Sequence, residues 1–191
     1  KEFGYGLESN LDLPNEMKGR MPNRDFMNKL YGKWGWSKGA LLNISIGQGE
    51  ILSTPVQMAN YINLIATNGD TYPLNLVRGN IAKLNRPQVK LKNWQIIQDA
   101  MREVVIGNKG TGKLSDPKLP GLSIYGKTGT AENPHGEAHA WYITYGEKNN
   151  EMISIVVLIE NGGSGGTYAT PITRKIYNYY FNSNKSKLAK N

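Results

Sequence analysis

The chain has 191 residues, 39% hydrophobic and 20% charged, a balance that suits one folded domain with its own core and excludes intrinsic disorder. It has no cysteine, which rules out a disulfide scaffold, a thiolate metal site and a cysteine nucleophile. The net charge is +8, but the lysines are scattered, and no basic stripe is interleaved with stacking aromatics, so no nucleic-acid partner is expected.

In chain order, the opening stretch to Asn23 is polar and rich in Gly, Pro and Asn, and reads as an ordered surface loop. Trp34, Gly35 and Trp36 follow in a segment without a clear period; these tryptophans, like Trp141, read as packing residues. The first clean element begins at Ser53: Thr54 suits an N-cap, Pro55 the first helical position, and Gln57 completes a capping box. Val56, Ala59, Ile62 and Ala66 recur at helical spacing, and Gly69 after Asn68 ends the helix. A short extended stretch is expected at 72–77. A second helix is predicted over 93–106, with Ile97, Ala100, Met101 and Val104 on its buried face and Gly107 closing it. The loop 107–121 is rich in Gly, Lys and Pro. Three strands follow, at 122–130, 140–145 and 152–159; the third is almost continuously apolar, as a central strand covered on both faces would be. The short turn between the last two makes them antiparallel neighbours. Gly162, Gly163, Gly165 and Gly166 read as a flexible connection. Thr170 and Pro171 open a terminal helix, with Ile172, Ile176 and Tyr179 toward the core. The pattern predicts an α/β (α+β) fold, an antiparallel sheet flanked by helices, with one domain over 1–182 and a basic tail over 183–191. The longest apolar run, 153–159, is far short of the roughly 18 residues a membrane helix needs. No signal peptide is visible, so any targeting or anchoring segment is expected outside the chain.

The chemistry concentrates in Lys127-Thr128-Gly129-Thr130 at the end of the first strand. Lys127 brings a positive charge, and Thr128 and Thr130 bring hydroxyls that share one strand face. Gly129 lacks a Cβ, so another backbone can come close. A ligand with a carboxylate and a peptide backbone could pair here as an added strand, its carboxylate held by the hydroxyls and the ammonium. A backbone N–H of the strand could also point at a developing oxyanion. K-T-G is the third element of a set with S-x-x-K and S-D-N in serine acyl-transfer enzymes that bind β-lactams.

Five further runs fall in order around it: Phe3-Gly-Tyr-Gly with Asp12-Leu-Pro-Asn-Glu, Asn43-Ile-Ser-Ile-Gly-Gln-Gly, Thr54-Pro-Val-Gln-Met-Ala, His139-Ala-Trp-Tyr and Ile159-Glu-Asn-Gly-Gly. With Gly126-Lys-Thr-Gly-Thr-Ala-Glu they cover nearly the whole chain, which resembles the C-terminal part of class B penicillin-binding proteins of the elongation type, the penicillin-binding protein 2 group. The resemblance implies a penicillin-binding transpeptidase or β-lactamase-like fold, present as a partial domain. It implies a D,D-transpeptidase in which a serine attacks a D-Ala-D-Ala stem peptide and passes the acyl group to a neighbouring stem. In that scheme Lys127 tunes the site, Thr128 and Thr130 hold the carboxylate, the Thr130 N–H joins the oxyanion hole, and Gln48 lies near the cleft as a substrate contact. The implied partners are peptidoglycan stem peptides, β-lactam antibiotics and a membrane glycosyltransferase of the elongation machinery. The implied location is the periplasmic face of the inner membrane, and no cofactor or metal is implied.

The departure from the family pattern is the nucleophile. Ser183-Asn-Lys-Ser fails the S-x-x-K pattern, and no such pair is found in a helical setting. The family order puts S-x-x-K and S-x-N before Lys1, so the chain alone is expected not to acylate. A β-lactamase, a β-lactam sensor and a degenerate binding domain remain as alternatives. Two other patterns are decoys. Gly107-Asn-Lys-Gly-Thr-Gly-Lys113 nearly matches a phosphate loop but has Leu114 where a magnesium-binding hydroxyl belongs, and it follows a helix. His135 and His139 have i, i+4 spacing, but Pro134 and Gly136 oppose a helix, so a polar turn is expected instead of a metal site.

Overall fold

The computed structural model describes residues 2–9, 11, 14–70, 74–77 and 87–182. Two short helices come first, α1 (Arg24–Tyr31) and α2 (Lys38–Ser45). Both lie where the sequence shows no period, and both are set by their caps: Asn23 Oδ1 accepts from the Phe26 N–H and Ser37 Oγ from the Ala40 N–H. Their packing is thin, since Met27 is the one fully buried side chain of α1 and α2 has none. An apolar period therefore had little to build on. The tryptophans around them divide. Trp36 is half-buried and donates to Asn28 Oδ1, whereas Trp34 is 89% exposed, with the Lys33 ammonium over its ring, so it is no packing residue.

Helix α3 (Pro55–Ala66) starts as expected. Thr54 and Gln57 close a reciprocal capping box, and the chain leaves the helix through left-handed Asn68 and Gly69. Gln57 is buried, and its amide also donates to the carbonyls of Leu7 (2.9 Å) and Lys18 (2.6 Å). One side chain thus fixes a helix start and ties the opening loop to it. Helix α4 (Leu91–Ile106) buries Trp94, Met101 and Val105; Ile97 and Ala100, expected inside, are at the surface. Of the extended stretch expected at 72–77, residues 74–77 form no strand and 72–73 lie outside the described residues.

The sheet is antiparallel, in the order β1 (Ser123–Ala131), β2 (His139–Lys148), β3 (Glu151–Ile159). Side chains alternate between its faces. On one face Tyr145, Tyr125 and Val156 pack with Ile62, Leu64 and Ile65 of α3 and Trp94 and Met101 of α4. On the other, Ile124 and Ile155 pack with Val105 and with Tyr177 of α5 (Thr170–Asn182). Helix α4 lies beside β1 and feeds both cores.

Two expectations need correction. The central strand is β2; among the described residues β3 is an edge strand, and its residues are mostly half-buried rather than enclosed. Its continuous apolar run reflects helices on both faces, not neighbours on both sides. The terminal helix also turns the other way: Ile172, Ile176 and Tyr179 face out, while Thr170, Thr173 and Tyr177 are buried. Sterics and hydrogen bonding decide this orientation. Gly146 leaves room for the Tyr177 ring, which a Cβ would meet at 2.7 Å, and the Tyr177 hydroxyl lies 2.8 Å from Thr144 Oγ1. The basic tail expected over 183–191 lies outside the described residues.

Candidate active site

Among the described residues strand β1 pairs on one side only, with β2, in the register Lys127↔Ile143, Thr128↔Tyr142, Gly129↔Trp141 and Thr130↔Ala140. In an antiparallel ladder, alternate residues turn both main-chain groups away from the partner strand. Three carbonyls of one alternating set accept from side chains and not from a neighbouring strand. Arg102 donates to Ile124 O (2.9 Å), Lys127 Nζ to Thr128 O (2.6 Å) and Gln48 Nε2 to Thr130 O (2.8 Å). The even-numbered residues therefore face the open edge, and the N–H of Thr130 goes with its carbonyl.

The predicted site residues come together on this edge in a specific way. Thr128 and Thr130 share a face, and the exposed Lys127 leaves the strand on the other. Among the described residues no carboxylate is paired with Lys127. Gln48, 82 positions away in sequence, reaches the edge from a turn in which Gly47 and Gly49 both have positive φ. Its amide makes two bonds, donating to Thr130 O and accepting from the Glu132 N–H (3.3 Å), as a neighbouring strand's peptide group would. Gly129 has a different tight contact from the one expected. A Cβ there would lie 3.2 Å from Trp141 Cβ, so its bareness serves the sheet interior as well as any ligand.

The glycine-rich connection after β3 is ordered, and it supports the motif from behind. Gly165–Ala169 form a π-helical turn with Gly165 buried. A Cβ on Gly165 would lie 2.1 Å from Trp141 O and 2.5 Å from Gly129 O, so only glycine lets the turn sit against the ladder at the motif. Beneath Gly126, the Tyr142 hydroxyl occupies the space a Cβ would need (2.2 Å) and pairs with Ser115 Oγ at 2.8 Å. Burial raises the Tyr142 phenol above its ordinary value, so it stays neutral.

Ser115-Asp116-Pro117-Lys118 has the S-x-x-K spacing, which a search confined to helical settings passes over. It is no nucleophile–base pair. Ser115 is fully buried and donates to Gly112 O at 2.7 Å, Pro117 breaks the turn, and Lys118 pairs with Asp116 at 2.9 Å. Of the histidines, His135 sits in a turn, and His139 accepts the Asn161 N–H on Nδ1 at 2.9 Å, lacing the β1–β2 loop to the segment after β3. The Gly107–Lys113 run is a turn that follows α4 and folds back on itself through Lys113 Nζ to Asn108 O. The site residue that sequence reasoning missed is Thr111 in this run, whose Oγ1 lies 2.7 Å from Thr128 Oγ1.

Comparison with known proteins agrees with this architecture. Residues 1–178 match the family described as penicillin binding protein transpeptidase domain. The peptidoglycan D,D-transpeptidase MrdA of Haemophilus influenzae is 27% identical over all of this chain and 33% of its own length. The peptidoglycan D,D-transpeptidase PbpA of Mycobacterium tuberculosis is 32% identical over 72% of this chain and 31% of its own. The chain thus spans about a third of these curated relatives. Among solved structures, PBP2 in complex with MreC from Helicobacter pylori superposes with a TM-score of 0.78 at 29% identity, over 94% of this chain and 34% of that one. PBP2 of Pseudomonas aeruginosa gives 0.77 at 28%, over 94% and 42%. From its edge strand to its helical layers, this chain belongs to the penicillin-binding protein transpeptidase domain family, as part of that domain.

Proposed function

We propose that this chain is the substrate-strand portion of a peptidoglycan D,D-transpeptidase, completed by a segment that brings the reactive serine to the open edge of β1. The observation that carries this reading is the outward edge at Thr128 and Thr130, beside a lysine with no carboxylate partner among the described residues. A stem peptide ending in D-Ala-D-Ala pairs along that edge as an added strand. Its terminal carboxylate takes hydrogen bonds from the Thr128 and Thr130 hydroxyls within the field of Lys127. The serine oxygen attacks the penultimate carbonyl, and the negative charge that gathers on the carbonyl oxygen is met by the Thr130 N–H. The C–N bond then breaks, and the terminal D-alanine leaves with a proton on its amine. The ester is resolved when a neighbouring stem's amine attacks it and the serine recovers its proton. Gln48 holds Thr130 in place for this pairing.

β-Lactams enter the same edge as strained mimics of the stem peptide and leave a stable ester. The Helicobacter pylori relative is solved in complex with MreC, which supports a partner of that kind beside the glycosyltransferase of the elongation machinery. The periplasmic face of the inner membrane suits this substrate. No helix among the described residues is long and apolar enough to cross a membrane.

The test uses the full-length protein with a fluorescent penicillin and a D-Ala-D-Ala pentapeptide. Stable labelling, together with D-alanine release that needs an amine acceptor, is expected. Rapid turnover of nitrocefin would mark a hydrolase instead, and absence of any labelling would mark a binding domain; either overturns the reading.

A further inference from the structure

The hydroxyl pair Thr111–Thr128 is a polar contact of the motif run that the reaction described above does not use. Thr111 sits in the turn after α4, and that turn is firmly placed. The Gly112 N–H donates to Val104 O at 2.8 Å, Ser115 bonds back to Gly112 O at 2.7 Å, and Gly112 packs against the Tyr142 hydroxyl and Val104. On its other side the π-helical turn presses close. A Cβ on Gly166 would lie 2.9 Å from Thr111 O, while its neighbour Gly165 lies against Gly129 O. The Thr111 hydroxyl is therefore held 2.7 Å from Thr128 Oγ1 by backbone on two sides.

Each hydroxyl has one hydrogen to give. When Thr128 donates to a carboxylate, the hydrogen between the two threonines has to come from Thr111. A hydroxyl that accepts one hydrogen bond while giving another is a stronger donor.

We propose that Thr111 is a positioning residue for carboxylate recognition: its hydroxyl donates to Thr128 Oγ1 and so aims and strengthens the Thr128 hydroxyl as donor to the carboxylate of a ligand lying along β1. This rests on the transpeptidase reading, in which Thr128 meets that carboxylate.

The experiment measures the second-order acylation rate of the full-length protein by benzylpenicillin and by its methyl ester, which lacks the anionic group. Thr111→Val is expected to slow reaction with the acid roughly three- to tenfold, the worth of one ordinary hydrogen bond, and to leave the ester rate near wild type. Thr111→Ser, which restores a hydroxyl, should recover most of the loss. In a Thr128→Val background, Thr111→Val should add nothing further. Equal slowing with acid and ester, no recovery with serine, or an undiminished effect in the Thr128→Val background overturns the proposal. Should Thr111→Val fail to fold, Thr111→Ala is read by the same criteria. A wild-type protein acylated by neither compound defeats the transpeptidase reading itself, a result separate from the others.

Discussion

Lys127 and Thr128 are adjacent in sequence yet leave β1 on opposite faces, so the ammonium and the two hydroxyls approach a ligand at the strand edge from different sides. In the ligand-free strand Lys127 Nζ rests on Thr128 O at 2.6 Å, a contact that an arriving carboxylate would replace with a charge-assisted one. Lys127→Ala in the full-length protein is therefore expected to slow penicillin acylation about 10- to 100-fold, the range for a hydrogen bond to a charged group. Stopped-flow labelling checks this, and an unchanged rate removes Lys127 from carboxylate binding. Behind the strand, Gly165 makes the strictest demand. Gly165→Ala would drive a Cβ into two main-chain carbonyls, so a loss of about 1–3 kcal/mol is expected in denaturant unfolding. A neutral result would mean the π-helical turn yields without cost.

At the scale of elements, the sequence was most legible where a local rule and the packing agree. The Thr54–Gln57 box, Gly69, Gly107 and the three strands stand where pattern and turn chemistry put them. Helices α1 and α2 were missed because they bury almost nothing, though Asn23 and Ser37 carried a capping signal that could have found them. Helix α5 was rotated because Ile172, Ile176 and Tyr179 form a plausible stripe, while a tyrosine hydroxyl pairing with Thr144 across a glycine gap decides the matter in three dimensions. Gln48 and the K-T-G run were legible as motifs; that a side-chain amide would pair with the strand edge, and that Thr111 would meet Thr128, depended on contacts between distant stretches that no spacing rule encodes. Gln57 joins a cap to two loop carbonyls. Gln57→Ala is expected to cost roughly 2–3 kcal/mol, a cap plus buried carbonyls left unpaired, read as a lower thermal midpoint. A shift no larger than a cap alone would show that water satisfies those carbonyls.

At the scale of the whole molecule, buried phenols tie stability to alkaline pH. Burial raises Tyr177, Tyr5 and Tyr145 well above the ordinary value, and raises Tyr142 as well. Below about pH 10 folded and unfolded chains both keep these protons; above it the unfolded chain gives up protons that the folded chain retains, so stability falls as pH rises. Urea unfolding should be level from pH 7 to 9 and decline beyond pH 10. Tyr177→Phe should remove about 1.4 kcal/mol per pH unit of that slope. An unchanged slope would mean Tyr177 ionises in place. The isolated 191-residue chain is expected to take up no fluorescent penicillin, because Ser115 is sealed in the core; stable labelling would identify a nucleophile within it. The edge of β1 has one further consequence, for solubility. A bare ladder invites any passing extended polypeptide to extend it without limit. Here Arg102 occupies the outward carbonyl of Ile124, Lys127 that of Thr128 and Gln48 that of Thr130. With these outward acceptors taken by the chain's own side chains, the strand offers a passing polypeptide few groups to pair with, which limits the seeding of fibres.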